Sequence, residues 1–340
     1  MITRNPDSVQ CLDRRWQHEV ANAFSDPEQL LAFLGLDPQQ YGDGLQARKL
    51  FPMRVPRAFA AKMRHGDAQD PLLQQVLPIG SEFIDRVGFN TDPTDEQDTA
   101  APGLLHKYRS RALLMLRGGC AVNCRYCFRR HFPYQDHKVG QAEIAAAIDH
   151  LNHDSNINEL LLSGGDPLMA RDDHLTDLFA QLRQAKHLKR VRIHTRLPVV
   201  IPNRITDDFI RLCQQAPWKI VLVLHINHAN EICDVLGQQL AKLAAAGVTL
   251  LNQGVLLKGI NDSAPILAAL SERLFEVGVL PYYLHQLDKV AGASHFEVSD
   301  DQARTIMAAL IAELPGFLVP KLVREVGGQA SKTPIDLHLG

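Results

Sequence analysis

The sequence predicts an α/β fold in which strands and helices alternate around a largely parallel sheet. Six short apolar runs carry this prediction: 112–116, 158–163, 190–195, 219–225, 249–257 and 278–284. Helical patterns such as QAEIAAAIDHL and CDVLGQQLAKLAAAG lie between several of them. Such alternation indicates right-handed βαβ units that form either a doubly wound sheet or an incomplete barrel. In both architectures, ligands bind at the carboxyl ends of the strands.

The residues before the alternating strands and helices have a different sequence pattern. The first hundred residues are predicted to be mainly helical, because segments such as DPEQLLAFLGL (26–36) carry apolar residues at helical spacing. The acidic, proline-containing stretch 89–103 has no periodicity and is predicted to be an exposed connection. We therefore expect three regions: a mainly helical one over 1–100, the strand–helix region over 101–290, and a C-terminal segment over 291–340.

The composition is typical of a globular protein, and the sequence features below lead us to expect a cytoplasmic location. Of the 340 residues, 46% are hydrophobic and 22% are charged, which is enough apolar material for a full-sized core. The net charge of −2 favours neither nucleic acid nor an anionic membrane. No apolar run is long enough for a membrane span or a secretory signal. Thiols stay reduced in the cytoplasm, so disulfides are a poor explanation of the cysteines.

Three of the six cysteines, Cys120, Cys124 and Cys127, lie within eight residues directly after the first predicted strand of the alternating region. The other three stand alone in their segments, as small buried apolar groups often do. A structural zinc site needs four protein ligands, and the sequence offers no second cysteine pair, although its fifteen histidines leave room for one. Three thiolates suit a [4Fe–4S] cluster with one iron open to an external ligand.

The C-x3-C-x2-C spacing, with Tyr126 before the third cysteine, resembles the motif of the radical S-adenosylmethionine superfamily. In that family the open iron binds the amino and carboxylate groups of S-adenosylmethionine. A Gly-Gly-acid turn after the second strand holds the ammonium of this cofactor. The matching turn here consists of Ser163, Gly164, Gly165 and Asp166. The resemblance also assigns His225 to S-adenosylmethionine binding.

Motifs over 104–334 resemble, in order, those of the lysine 2,3-aminomutase family, which combines radical S-adenosylmethionine chemistry with pyridoxal phosphate. They include LLSGGDPL, HTRLPVVIPNRIT, PYYLHQLDKV and SKTP. The resemblance implies a partial (β/α)6 TIM-type barrel, with a C-terminal segment whose Lys332 carries pyridoxal phosphate. It also implies that Lys107 and Arg111 bind the phosphate, with Gln253 as a further candidate. Cations and amide donors suit a phosphate dianion.

The same resemblance assigns the substrate contacts. Arg129 matches a residue that binds the substrate carboxylate, for which a planar guanidinium is well suited. Asp288 matches an acid that pairs with the far ammonium of lysine, and Glu325 occupies the place of a second such acid. The loop after Glu325 departs from the family pattern, because it is less rich in glycine and the acid is one methylene longer. Without a wider basic face, the arginines of CFRRH indicate binding of small anions instead of RNA.

The chain resembles more closely the compact bacterial form that makes (R)-β-lysine for elongation factor P. The implied reaction converts L-α-lysine to (R)-β-lysine through a 5′-deoxyadenosyl radical that acts on the pyridoxal phosphate aldimine of lysine. The implied partners are a one-electron donor and the elongation factor P lysyl-transferase. Three alternatives remain: a 2,3-aminomutase for another amino acid such as glutamate, a cluster-carrying binding protein without turnover, and a radical enzyme that modifies a macromolecule.

Overall fold

A computed structural model describes residues 16–96, 103–134 and 139–338. Within these residues, nine strands form one sheet and follow one another across it in chain order. The strands are β1 (Leu104–Tyr108), β2 (Arg111–Arg117), β3 (Glu159–Gly164), β4 (Arg190–Thr195), β5 (Lys219–Leu224), β6 (Thr249–Val255), β7 (Leu280–His285), β8 (Lys321–Arg324) and β9 (Thr333–Pro334). All six predicted apolar runs are therefore strands.

The direction of the strands identifies the architecture as an incomplete barrel. Strands β2 to β8 are parallel, while β1 and β9 pair antiparallel at the two edges of the sheet. A doubly wound sheet reverses its strand order at a switch point, but here each new strand is added on the same side. The predicted partial (β/α)6 barrel is confirmed, and the described sheet does not close on itself.

Ten α-helices occur in the described residues. They are α1 (Trp16–Ala21), α2 (Pro27–Phe33), α3 (Arg57–Ala60), α4 (Gln141–His153), α5 (Asp172–Leu182), α6 (Leu197–Val200), α7 (Asp207–Gln214), α8 (Asp234–Ala245), α9 (Ala264–Glu276) and α10 (Asp300–Glu313). Six of them, α4, α5, α7, α8, α9 and α10, each follow one of the strands β2 to β7. In α5, Leu175, Leu178, Phe179 and Leu182 form the buried face, which is the spacing expected of a helix packed on a sheet. No helix in the described part of the chain has the length and apolar character of a membrane span.

The N-terminal region is helical, as predicted, but its helices are short. Helices α1, α2 and α3 have six, seven and four residues, and a 3₁₀ segment over Pro38–Lys49 joins the last two. One continuous hydrophobic core includes Trp16 at one end of the described chain and Val279 before β7. The N-terminal region therefore shares its core with the barrel.

The prediction that 89–103 is an exposed connection holds for Asn90, Thr91 and Asp95 but is wrong for Thr94 and Glu96. Thr94 and Glu96 are only 2% and 7% exposed. The reason is a buried ion pair, because Glu96 Oε2 lies 2.6 Å from Arg129 Nε. An acidic, non-periodic composition does not distinguish a solvated loop from one whose carboxylate is neutralised inside the protein.

Candidate active site

A cavity of about 270 Å³ lies inside the open barrel, at the carboxyl ends of the parallel strands. Every site residue that the sequence predicts lines it. These residues are Lys107, Arg111, Cys120, Cys124, Cys127, Arg129, Ser163, Gly164, Gly165, Asp166, His225, Gln253, Asp288, Glu325 and Lys332. The fold thus brings residues from β1 to the C-terminal segment around one space.

The three clustered cysteines form one part of the cavity wall. Burial and the neighbouring Cys127 and Asp166 raise the pKa of the Cys120 thiol. Burial and Cys124 raise the pKa of the Cys127 thiol to about 11. No three His, Cys, Asp or Glu side chains in the described ranges are arranged to hold a single metal ion. Crowded thiols of this kind become thiolates readily only when a cationic centre binds among them.

Gly164 and Gly165 set the position of the cysteine loop, which is the loop after β2 (118–134). Gly165 N donates to Arg117 O at 2.7 Å, and Asp166 N donates to Gly119 O at 3.0 Å. A Cβ on Gly164 would lie 2.4 Å from Arg117 O, and one on Gly165 would lie 2.7 Å from Gly119 O. Gly164 also has a φ of 119°. Only glycine allows the turn after β3 to pack this closely against the loop after β2.

The carboxylate of Asp166 joins the turn after β3 to the end of β4. It accepts hydrogen bonds from Thr195 Oγ1 at 2.7 Å, Arg196 N at 2.8 Å and Leu197 N at 2.9 Å, and from Leu168 N at 3.0 Å. Burial raises the pKa of this acid, although these hydrogen bonds oppose the shift. The Asp166 side chain therefore fixes the conformation of the turn. Ser163, Gly164 and Gly165 of this turn line the cavity.

Two arginines of the cysteine loop, Arg125 and Arg130, form buried ion pairs with Glu82. Glu82 Oε1 accepts from Arg125 Nε at 2.8 Å, and Glu82 Oε2 accepts from Arg130 Nη2 at 2.9 Å. All three side chains are almost fully buried. The interpretation of the CFRRH arginines as binders of small anions is therefore wrong for Arg130, whose charge is satisfied by Glu82.

Arg129 is held in a fixed orientation at the cavity wall. Its Nε donates to Glu96 Oε2 at 2.6 Å, and its Nη1 donates to Ser163 Oγ at 3.0 Å and to Gly164 O at 3.1 Å. Burial raises the pKa of Glu96, but Arg129 and Lys107 outweigh burial, so this pKa lies below its usual value. Within the described residues, these bonds leave Arg129 Nη2 as the donor available to a ligand.

The two predicted phosphate-binding cations lie on neighbouring strands. Lys107 on β1 donates to Thr94 O at 2.6 Å, and its ammonium is 3.6 Å from Glu96 Oε1. Arg111 at the start of β2 lies over the ring of Tyr108, 4.1 Å from its centroid. The guanidinium itself makes this ring contact, which holds it in place at the cavity wall.

The predicted pyridoxal phosphate lysine contacts an acid in the same segment. Lys332 Nζ donates to Glu325 Oε2 at 2.7 Å, and Tyr108 OH donates to Glu325 Oε1 at 2.5 Å. Burial raises the pKa of Asp288 to about 7, while the charge of Lys332 opposes this and that of Glu325 adds to it. Two acids therefore surround the Lys332 ammonium at this end of the cavity.

The remaining predicted cofactor-binding residues, His225 and Gln253, line the cavity together with His194 and His285. Burial and the nearby cations Arg196 and Arg129 lower the pKa of His225 to about 3, so its ring is neutral. Gln253 Nε2 lies 3.1 Å from His225 Nε2. Gln253 Oε1 and the Nε2 atoms of His194 and His285 are buried at the cavity wall without a hydrogen-bond partner among the described residues. Buried polar atoms of this kind usually have a ligand or water as partner.

Sequence reasoning missed several residues of this cavity. Glu96, Tyr108 and Arg196 all line it. Arg196 follows β4 directly, so its place at the carboxyl end of a parallel strand was a usable signal. Glu96 and Tyr108 had no such signal, because the contacts that define them come from residues distant in sequence.

The residues present fit the three groups that the sequence indicates. The thiols on one wall suit an iron–sulfur cluster. Lys332, Lys107 and Arg111 provide an amine and two cations for pyridoxal phosphate. The unpartnered atoms of Gln253 and the histidines leave hydrogen-bonding capacity for S-adenosylmethionine or for the pyridine ring.

The sequence was compared with protein-family models and with curated proteins, and both comparisons found matches. Residues 115–265 match the family model described as Radical SAM superfamily. A protein named L-lysine 2,3-aminomutase from Escherichia coli (strain K12) is 52% identical over 95% of this chain and 95% of its own length. One from Haemophilus influenzae is 51% identical over 94% of this chain and 95% of its own. One from Clostridium subterminale is 33% identical over 94% of this chain but 77% of its own length.

Proposed function

The chain belongs to the L-lysine 2,3-aminomutase family of radical S-adenosylmethionine enzymes, and from that membership we propose that it converts L-lysine to (R)-β-lysine with a [4Fe–4S] cluster, S-adenosylmethionine and pyridoxal phosphate. One observation supports this most directly. The three cysteines, Lys332, Arg129 and Asp288 all line the same cavity. A small substrate bound in that cavity therefore shares one space with the groups that these residues are proposed to hold.

Each group of residues has a separate task in this proposal. Cys120, Cys124 and Cys127 hold the cluster, and the turn over 163–166 with His225 borders the space for S-adenosylmethionine. Lys332 binds pyridoxal phosphate covalently, while Lys107 and Arg111 neutralise its phosphate. When bound, the cluster and S-adenosylmethionine supply the radical that abstracts hydrogen, and pyridoxal phosphate supplies the electron system across which the amino group moves.

The protein contributes orientation and selectivity. Arg129 presents Nη2 to the substrate carboxylate from a position fixed by Glu96 and Ser163. Asp288 pairs with the ammonium at the other end of lysine, because burying that ammonium without a partner is costly. Fixing both ends holds C3 at one place relative to the reacting carbon of S-adenosylmethionine, which is the main way such a site accelerates the reaction. A glutamate-specific site would need a cation where this one has Asp288.

The finer biological assignment rests on the degree of sequence identity. The chain is 52% identical to the E. coli relative and 33% identical to the C. subterminale relative. The sequence resemblance to the compact bacterial form implies supply of β-lysine to elongation factor P. We propose that role, with the elongation factor P lysyl-transferase as the consumer of the product, a separate one-electron donor, and a cytoplasmic location.

The test is anaerobic reconstitution with iron, sulfide and pyridoxal phosphate, followed by chiral product analysis on L-lysine. We expect (R)-β-lysine, with no product from glutamate. Cys127→Ala should lose the cluster but keep pyridoxal phosphate on Lys332, and Lys332→Ala should show the reverse, as measured by iron content and by borohydride reduction with peptide mapping. A label on Lys107 instead, or turnover of glutamate in place of lysine, would contradict the proposal.

A further inference from the structure

Gln75 connects the N-terminal region with the cysteine loop. It ends a 3₁₀ turn over Leu73–Gln75 and is fully buried. Its backbone oxygen accepts a hydrogen bond from Arg125 N, inside the cysteine loop, at 2.9 Å. Gln75 also lies outside the part of the chain that matches the family model, which covers 115–265.

The side chain of Gln75 uses both ends of its amide. Oε1 accepts from Arg196 Nη2 at 2.7 Å, from Asn227 Nδ2 at 3.0 Å and from Tyr126 OH at 3.3 Å. Nε2 donates to Glu231 Oε1 at 3.2 Å. A carboxylate could replace the acceptor but would face Glu231 with a like charge, and an apolar side chain would replace neither function. The position therefore requires an amide.

Arg196 connects Gln75 with the cysteine loop, because its guanidinium contacts both Gln75 and Cys124. Its Nη1 lies 2.8 Å from Cys124 Sγ and also contacts Tyr126 OH. Its Nη2 is held by Gln75 and by Glu231 Oε2, the latter at 3.0 Å. Gln75 and Glu231 thus fix the far side of the guanidinium, so that its near side faces the sulfur atom of Cys124.

We propose that Gln75 is a positioning residue that holds Arg196 against Cys124 and thereby sets the reduction potential of the cluster. This inference rests on the proposed function, since it requires the cluster on Cys120, Cys124 and Cys127. An N–H···S contact and a fixed positive charge stabilise the reduced cluster, which carries one more negative charge than the oxidised one. A displaced Arg196 therefore makes reduction harder without removing any cluster ligand.

The experiment compares wild type with Gln75→Met after anaerobic reconstitution. Methionine has a similar volume but makes none of these hydrogen bonds. In a redox titration followed by electron paramagnetic resonance, we expect the ratio of reduced to oxidised cluster at a fixed solution potential to fall roughly three- to tenfold. Gln74→Met is the matched control, because the side chain of Gln74 donates to Ala68 O at 2.8 Å and does not enter this network.

The outcomes that would overturn the proposed role of Gln75 are the following. A wild-type potential in Gln75→Met with full iron content would overturn the inference, as would an equal shift in Gln74→Met. If Gln75→Met fails to load iron, Tyr126→Phe replaces it, since that change removes only a hydroxyl, which contacts Gln75, Arg196 and Asn227 within this network. An unchanged potential in Tyr126→Phe would then overturn the inference. If wild type itself loads no cluster, the proposed function fails first.

Discussion

Single residues in this cavity have ionisation states that follow from their surroundings. Asp288 combines burial with the nearby charges of Lys332 and Glu325, and together they bring its pKa to about 7. Glu96 shows the opposite behaviour, because Arg129 and Lys107 keep its carboxylate ionised although it is buried. Two buried acids of one cavity therefore differ in charge near neutral pH, and each leads to a separate test.

The titration of Asp288 predicts a pH-dependent affinity for lysine. The ammonium of lysine stays charged throughout this range, whereas Asp288 binds it only when ionised. KM for lysine should therefore be about tenfold higher at pH 6 than at pH 8 and level off above about pH 8. Initial rates across this range provide the measurement.

Asp288→Asn keeps the size of the side chain and removes its charge. It should abolish the pH dependence and lose about two to four decades in kcat/KM, since one partner of a buried charge pair remains unpaired. Cofactor loading should be unchanged. If the variant shows the same dependence of KM on pH as wild type, another group is responsible for it.

Glu96→Gln should separate binding from orientation. The uncompensated guanidinium of Arg129 still attracts a carboxylate, but it loses the charged partner that fixes its plane. We expect kcat to fall about tenfold while KM changes less, because the substrate binds but lies less often in the reactive position. The exposed Glu313→Gln is the control. A raised KM with unchanged kcat would show that Glu96 contributes to binding alone.

Among the elements of the fold, the loop after β2 depends most on its neighbours. Glu82 from the N-terminal region binds Arg125 and Arg130 of the loop, and Arg125 Nη2 also lies 2.8 Å from His295 Nε2, which precedes α10. The glycine turn after β3 supports the other side of the loop. The cysteines are therefore positioned by segments from three parts of the chain.

Glu82→Gln should destabilise the whole protein. It leaves two buried guanidinium groups without a counter-charge, which typically costs about 3–5 kcal/mol in the free energy of unfolding. Urea denaturation followed by circular dichroism measures this directly. Glu276→Gln removes an acid from a surface ion pair with Arg273 and should change stability by less than about 0.5 kcal/mol. Equal effects of the two substitutions would argue against the structural role of Glu82.

At the scale of the whole molecule, the three regions expected from the sequence behave as parts of one unit. The hydrophobic core continues from Trp16 into the barrel. The sheet continues past residue 290, because β8 pairs with β7 and β9 pairs with β8. The N-terminal region also supplies Glu82 and Gln75 to the cysteine loop. We infer that none of the three regions folds independently.

A chain shortened to begin at Gly103 tests this inference. It keeps every predicted ligand of the cluster and of pyridoxal phosphate, but it loses Gln75, Glu82 and Glu96. We expect no cooperative thermal unfolding transition and no stable cluster after reconstitution, whereas the full chain shows both. A cooperative transition in the shortened chain would mean that the barrel is a separate domain.

The sequence predicted the strands and the residues that line the cavity better than the contacts between those residues. Cys120 and Asp288 follow predicted strands, so their convergence followed from the topology of a parallel barrel. The place of Lys332, before the antiparallel β9, came from the family resemblance instead. Glu96 and Gln75 lie in irregular or 3₁₀ segments without periodicity. Their partners, Arg129 and Arg196, are distant in sequence, and no local pattern encodes which buried acid or amide will meet which arginine.

The hydrogen bond between Tyr108 and Glu325 has a consequence for the order in which the molecule assembles. It joins residues 217 positions apart and connects the first strand of the sheet with the segment after β8. Contacts of such high sequence separation form only after the entropy of a long loop has been lost, so they tend to complete late. During refolding, the secondary structure should therefore recover before the cavity becomes able to bind pyridoxal phosphate. The slowest step in producing a competent enzyme is then the meeting of the two ends of the sheet.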